Sequence, residues 1–201
     1  MVWNYVTKAK KTITITKSNR MDVKDFEIHH SEIIPDLVWF RTKKFSDLRG
    51  SLFTTFHKEV MQQYIPKDLE FKHDKFALTF HNCLRGIHGD TKTWKLVTCV
   101  YGEICQVAVD LRPGSPTYGK WEKFIINQDN QVSVLLPPGF GNSFLVLSEA
   151  AMYHYKLAYI GDYVDAADQF SVRWDDPKLG IEWPINNPTL SERDKCLDNI
   201  K

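Results

Sequence analysis

Apolar and polar positions alternate over short runs through most of this chain, and that period predicts strands rather than helices. Leu37-Val38-Trp39-Phe40 is the first short apolar run of a regular series. Asp47-Leu48-Arg49-Gly50 reads as a turn, and residues 51–56 alternate again. Further strands are predicted over 75–81, 95–101, 103–111, 121–126, 131–136 and 151–158. Turns rich in Pro, Gly, Asn and Asp separate them, among them Pro113-Gly114-Ser115-Pro116 and Pro137-Pro138-Gly139-Phe140-Gly141. Residues 58–64, ahead of Pro66, form the best helix candidate, and residues 190–197 suit a last helical turn or two. Short strands at this spacing argue for an all-β barrel or sandwich.

The beginning of the chain is less regular. Thr12-Ile13-Thr14-Ile15-Thr16, flanked by lysines, reads as one strand guarded at its edge. Residues 1–30 are set apart as an N-terminal extension, free to exchange into a partner or to hang loose, and residues 31–201 as a single domain. With 43% hydrophobic residues in 201, one sizeable core is expected. A formal net charge of +1 gives no general field for nucleic acid or an anionic membrane. No apolar run is long enough to span a bilayer. Cys83, Cys99, Cys105 and Cys196 lack CxxC spacing. They read as small buried hydrophobes in a reduced, cytoplasmic setting.

Candidate chemistry centres on Leu84-Arg85-Gly86-Ile87-His88-Gly89-Asp90. A histidine is the side chain best matched to proton abstraction near neutral pH, and neighbouring glycines let the backbone turn and a substrate approach. A satisfied structural histidine is the plain alternative. Arg85 and Lys95 flank it and could hold a phosphate or a developing enolate, or sit on the surface as ordinary cations. In Tyr153-His154-Tyr155-Lys156, alternation sends the tyrosines to one face and His154 and Lys156 to the other. Either tyrosine could pack a core, or face a polar cavity and donate a proton. Asp176 could orient the imidazole, or merely cap a turn before Pro177. His29-His30 lacks the later ligands expected of a metal site.

These residues lie in an ordered set of motifs. Besides the histidine segment they include Asp47-Leu48-Arg49-Gly50, Lys95-Leu96-Val97, Val107-Ala108-Val109-Asp110-Leu111-Arg112 and Ser115-Pro116-Thr117-Tyr118-Gly119. Tyr155-Lys156, Trp174-Asp175-Asp176-Pro177 and Ile181-Glu182-Trp183-Pro184 complete it. In them the chain resembles the dTDP-4-dehydrorhamnose 3,5-epimerases, the RmlC-like sugar-nucleotide epimerases. The resemblance implies a cupin-type jelly roll (a double-stranded β-helix) with short peripheral helices, no metal, no cofactor, and a homodimer that exchanges strands. It implies a nucleotide-diphosphate sugar bearing a 4-keto-6-deoxy group as substrate. His88 would remove a proton beside the ketone, assisted by Asp176. Lys95 would hold the enolate with Arg85 nearby, and Tyr155 would return a proton from the opposite face. Arg49 would reach the nucleotide or its diphosphate, from the same subunit or the partner.

Three departures bear on the substrate. His88 is followed by Gly89-Asp90, His73-Asp74-Lys75 stands where the family has Gln-Asp-Asn, and Asn142 replaces a pocket histidine. This combination resembles the subgroup acting on GDP-6-deoxy-4-keto-heptoses for capsule polysaccharide, so His73, Lys75 and Asn142 join Arg85 and Arg49 as expected substrate-binding residues. A nucleotide-sugar 3,4-ketoisomerase, a non-catalytic sugar-nucleotide binding module and a metal-dependent cupin oxygenase are the competing readings. A tyrosine opposite the base favours epimerisation over the first, and a His–Asp–Tyr set has no purpose in the second.

Overall fold

The computed structural model describes residues 25–195 and Ile200. The strand expected over 12–16 lies outside the described residues. Thirteen strands follow in order: β1 Phe26–His30, β2 Val38–Thr42, β3 Phe45–Asp47, β4 Gly50–Leu52, β5 Phe71–Phe80, β6 Leu84–Gly89 and β7 Trp94–Tyr101. Then come β8 Glu103–Asp110, β9 Trp121–Asn127, β10 Val132–Leu136, β11 Phe140–Val146, β12 Ala150–Ala158 and β13 Phe170–Ser171. A six-stranded sheet runs β1-β2-β10-β7-β12-β5, and a five-stranded sheet runs β13-β6-β11-β8-β9. The remaining pair, β3 and β4, forms a separate hairpin. Every one of these pairings is antiparallel. Two facing antiparallel sheets with crossed strand order make the cupin-type jelly roll.

Burial on β8 explains how the layers stack. Ile104, Gln106 and Ala108 share one face, and Cys105, Val107 and Val109 the other. Ile104 and Ala108 join Val97, Cys99, Phe140, Phe144 and Tyr153 in the core between the sheets. Cys105, Val107 and Val109 pack instead beneath the C-terminal tail, against Trp174, Ile181, Trp183 and Leu190. Covered on both faces, β8 reads as an almost continuous buried run. Burial pushes the Cys99 thiol up to about 12 and that of Cys105 up to about 11, in keeping with unreactive packing residues. The outer face of the six-stranded sheet is capped by α1 Lys58–Met61 and a following 3-10 turn, Gln62–Tyr64. Val60 and Met61 are fully buried there against Phe40, Leu96 and Leu135. Each such side chain contributes roughly 1.5–3 kcal/mol by leaving water. Among the described residues, no helix is long and apolar enough to cross a membrane.

The predicted boundary at residue 31 separates β1 from its partner. Phe26–His30 pairs along its full length with β2, so the sheet begins inside the segment set apart as an extension. Residues 53–56, expected to continue a strand, carry none, because only Gly50–Leu52 pairs with β3. His29 stacks on Trp39 with ring centres 3.9 Å apart. Among the described residues, no three His, Cys, Asp or Glu side chains gather as a metal-ligand group.

One buried carboxylate anchors the turn after β8. Asp110 is fully buried and accepts from Arg112 Nε at 2.9 Å, Arg112 Nη2 at 2.7 Å, Ser115 Oγ at 2.6 Å and Thr117 Oγ1 at 2.6 Å. Burial opposes its charge, but those hydrogen bonds outweigh burial and hold the carboxyl well below the usual carboxylate range. Its contribution to stability is therefore complete above the ordinary carboxylate pKa and is lost as acidity approaches the depressed folded value. Asp110→Asn removes the buried charge that Arg112, Ser115 and Thr117 hold, leaves Arg112 with its outer partner Asp36, and should cost about 3 kcal/mol, read as a shifted urea midpoint at neutral pH. The difference from wild type should shrink in acid.

Candidate active site

A cavity of about 550 Å³ opens between the two sheets. Its size suits a small organic ligand. From the five-stranded sheet, β6 contributes Arg85 and His88, and β11 contributes Asn142. From the facing sheet, β5 contributes Lys75, β7 contributes Lys95, and β12 contributes Tyr155. The tail closes one side with Thr189, Leu190, Ser191, Arg193 and Asp194.

Six of the nine residues singled out from the sequence line this cavity: Arg85, His88, Lys95, Asn142, Tyr155 and Lys75. The alternation argument on β12 holds. Tyr153 and Tyr155 turn inward, whereas His154 and Lys156 turn out and pair with Asp74 at 2.7 and 2.8 Å. The two tyrosines then divide the readings left open: Tyr153 is fully buried core, and Tyr155 lines the cavity.

The partner of His88 is Asp194, not Asp176. His88 Nε2 lies 2.6 Å from Asp194 Oδ1. Asp194 sits on α2, Glu192–Lys195, a short tail helix whose Ser191 Oγ accepts from the Asp194 backbone N–H. Its carboxylate is 2% exposed. Burial would raise it, but the His88 hydrogen bond and charge, with Ser191 and the Gly86 backbone, hold it below its ordinary value. With Nε2–H donating to Asp194, the neutral imidazole carries its lone pair on Nδ1. Asp176 does what its Asp-Pro context allowed as an alternative. Its Oδ1 accepts from Lys178 N at 2.8 Å and its Oδ2 from Ile200 N at 2.6 Å, fastening the tail.

The other side chains are equally constrained. Lys95 is 8% exposed and pairs with buried Asp90 at 3.1 Å. Burial pulls the Lys95 pKa down, and Asp90 partly restores it. Asp90 is itself fixed by accepting from the Lys92 and Thr93 backbone N–H groups. Arg85 Nε donates to Thr79 Oγ1 at 3.0 Å. Burial pushes the Tyr155 phenol well up, with Arg85 acting against it, so the hydroxyl keeps its proton. Lys75 Nζ donates to Tyr163 Oη at 3.2 Å. His73 stands just outside the lining, on Tyr159 Oη at 3.2 Å, with its ring edge-on to Tyr163.

Two expectations need correction. The glycines around His88 serve chain packing rather than substrate approach. A Cβ on Gly89 would meet the Phe170 ring at 2.2 Å, and one on Gly86, at φ +121°, would meet Asn142 O at 2.6 Å. Arg49 does not line this cavity. Its side chain is 90% exposed on the β3–β4 hairpin and folds back onto Asp47. Sequence reasoning missed Asp194, since a carboxylate within Ser191-Glu192-Arg193-Asp194-Lys195 reads as one more solvated charge. Its only signal was the Ser191 cap three residues earlier. Tyr163 was missed as well.

A family model described as dTDP-4-dehydrorhamnose 3,5-epimerase matches residues 31–201. The dTDP-4-dehydrorhamnose 3,5-epimerase of Shigella flexneri is 35% identical over 164 residues, which cover 80% of this chain and 89% of that protein. The crystal structure of RmlC, a dTDP-6-deoxy-D-glucose-3,5-epimerase from Legionella pneumophila in complex with dTDP-4-keto-L-rhamnose, superimposes with a TM-score of 0.79 at 32% identity, covering 87% of this chain and 92% of that one. ChmJ, a 3'-monoepimerase from Streptomyces bikiniensis in complex with dTDP-quinovose, gives a TM-score of 0.76 at 31% identity over 85% of this chain and 87% of that one. With sequence, fold and cavity in agreement over most of its length, the chain belongs to the dTDP-4-dehydrorhamnose 3,5-epimerase family, isomerases of nucleotide-linked 4-keto sugars.

Proposed function

We propose that the cavity epimerises a nucleotide-linked 4-keto-6-deoxy sugar at carbon 3, with carbon 5 as a second centre, without a cofactor. The observation that carries this reading is the placement of His88 and Tyr155 on facing sheets, across one cavity. The ketone acidifies the neighbouring C–H bond. The proton passes to His88 Nδ1, and the C–H electron pair moves into the carbonyl to give an enolate. Asp194 stabilises the imidazolium that results. Lys95, held by Asp90, supplies positive charge where the enolate oxygen develops. Tyr155 returns a proton to carbon from the opposite wall, and the centre inverts. A base and a proton donor on opposite walls support epimerisation over carbonyl migration, since inversion needs the proton taken from one face of a carbon and another returned to the opposite face.

The finer substrate reading is GDP-6-deoxy-4-keto-heptose, in capsule or surface polysaccharide biosynthesis. Its support is the set of departures around the cavity: Asn142 within it, Lys75 against Tyr163, and His73 against Tyr159 and Tyr163. The test is kcat/KM on that substrate and on a dTDP-linked 4-keto-6-deoxy-hexose in parallel. A preference for GDP supports the reading, and a preference for dTDP, the nucleotide named with the relatives, overturns it.

Arg49 fits the substrate only if a second copy brings it. The outer face of edge strand β5 presents Phe76, Leu78 and Phe80 at 62%, 53% and 62% exposure beside the cavity mouth. An apolar stripe on a sheet edge suits pairing with another chain. A homodimer through this face is the proposed assembly, and sedimentation velocity reads it directly. A monomeric mass at micromolar concentration would remove Arg49 from the site.

A further inference from the structure

We infer that Tyr153 and Gln106 act as positioning residues, fixing the side-chain amide of Asn142 so that its Nδ2 donor faces the substrate beside His88. The inference rests on the epimerase reading above and goes beyond it to two residues that touch no substrate.

The direction of the relay follows from its anchor. Gln106 Nε2 lies 2.9 Å from the Val107 carbonyl oxygen, which can only accept. The Gln106 amide is therefore oriented with its NH₂ toward Val107 O and, at 2.8 Å, toward Asn142 Oδ1. Its Oε1 then faces Tyr153 Oη at 2.6 Å and accepts that hydroxyl proton. Turning the Gln106 amide over would set its oxygen against the Val107 carbonyl in a site where Gln106 and Tyr153 are both fully buried. With both Gln106 donors and its acceptor used, Asn142 Oδ1 is committed to the relay, and Tyr153 Oη stands a further 3.1 Å from it. Among the described residues, no group accepts from Asn142 Nδ2.

Position gives that free donor a purpose. Asn142 is the cross-strand partner of His88 on β6 and β11, and it is 8% exposed, with its open side in the cavity. An amide N–H there can bond the sugar oxygen that gains charge as His88 takes the proton. Unlike a cation, it does so without competing with His88 for protons, and the phenol and two amides that hold it carry no charge.

The test is a cycle between Gln106→Glu and Asn142→Ala, read by turnover of the sugar nucleotide. A carboxylate at 106 accepts where the amide donates. It draws Asn142 Nδ2 inward and turns Oδ1 to the substrate. Gln106→Glu should lower kcat by about 100-fold, the scale of losing one preorganised donor, with nucleotide KM within about twofold. In the Asn142→Ala background the same change should cost almost nothing further, because Gln106 acts only through Asn142. Wild-type kcat in Gln106→Glu, or an undiminished loss in the Asn142→Ala background, would overturn the positioning role. Amide proton exchange by NMR on the unliganded wild-type protein is the companion measurement. Gln106 side-chain protons should be protected and those of Asn142 should exchange quickly. Fast exchange at Gln106 overturns the relay whether or not the protein turns over any sugar, so failure here and failure of the epimerase reading are told apart.

Discussion

His88→Asn will abolish epimerisation and leave the jelly roll folded. Among the described residues that line the cavity, His88 is the one imidazole, and its contact to the buried Asp194 carboxylate at 2.6 Å holds its tautomer. Loss of a general base costs typically 10²–10⁴-fold, so a fall on the order of 10³ in kcat is expected. Stability should change little by comparison. His88 sits on a strand held by β11 and β13, and the lost hydrogen bond leaves Asp194 short of one donor, at a cost of about 1–3 kcal/mol. Steady-state kinetics beside a thermal melt separates the effects: kcat collapses while cooperative unfolding persists.

Asp194→Asn and Asp176→Asn should part company in the same assay. The Asp194 carboxylate meets His88, whereas the hydrogen bonds that the Asp176 carboxylate accepts, among the described residues, come from the backbone N–H groups of Lys178 and Ile200. An amide at 194 can still accept from Nε2–H and keep the tautomer, but it brings no charge to the imidazolium. That change should lower kcat by roughly 10²–10³-fold. Asp176→Asn weakens the fastening of the tail by about 1–3 kcal/mol, with kcat within about twofold. The reverse order of effects would return the assisting role to Asp176. Acid should act on the pair in a known direction. Asp194 is held below its ordinary value, so its share of stability is present above the ordinary carboxylate pKa and is lost as pH falls through the folded one.

The strands were legible where a short run rich in apolar residues is bounded by turn residues. Residues 95–101 and 151–158 are such runs, and both appear within one residue of the expected bounds, as β7 and β12. β6 and β11 were harder. Glycines in Leu84–Gly89 and Phe140–Val146 lower strand propensity, and they are present because a Cβ would collide with neighbouring chain. Residues that reach the cavity from strands were found from motif and alternation together, as with His88, Lys95 and Tyr155. Asp194 was not, because its burial comes from the tail folding over β6, a long-range contact that no local pattern encodes. Gln106 was hidden for a related reason. On a strand buried on both faces, a polar residue gives no sign of which partner it has.

Solvent deuterium is the most direct probe of proton transfer beside a ketone. The wild-type protein, incubated in deuterated water with GDP-6-deoxy-4-keto-heptose and separately with a dTDP-linked 4-keto-6-deoxy-hexose, should place deuterium on carbon 3 of its substrate as that centre inverts. NMR and mass spectrometry read the position and the number of deuterons, and label at carbon 5 would mark the second centre. Turnover with no deuterium at either carbon, or no exchange with either substrate in a folded protein, would contradict abstraction by His88 and return by Tyr155.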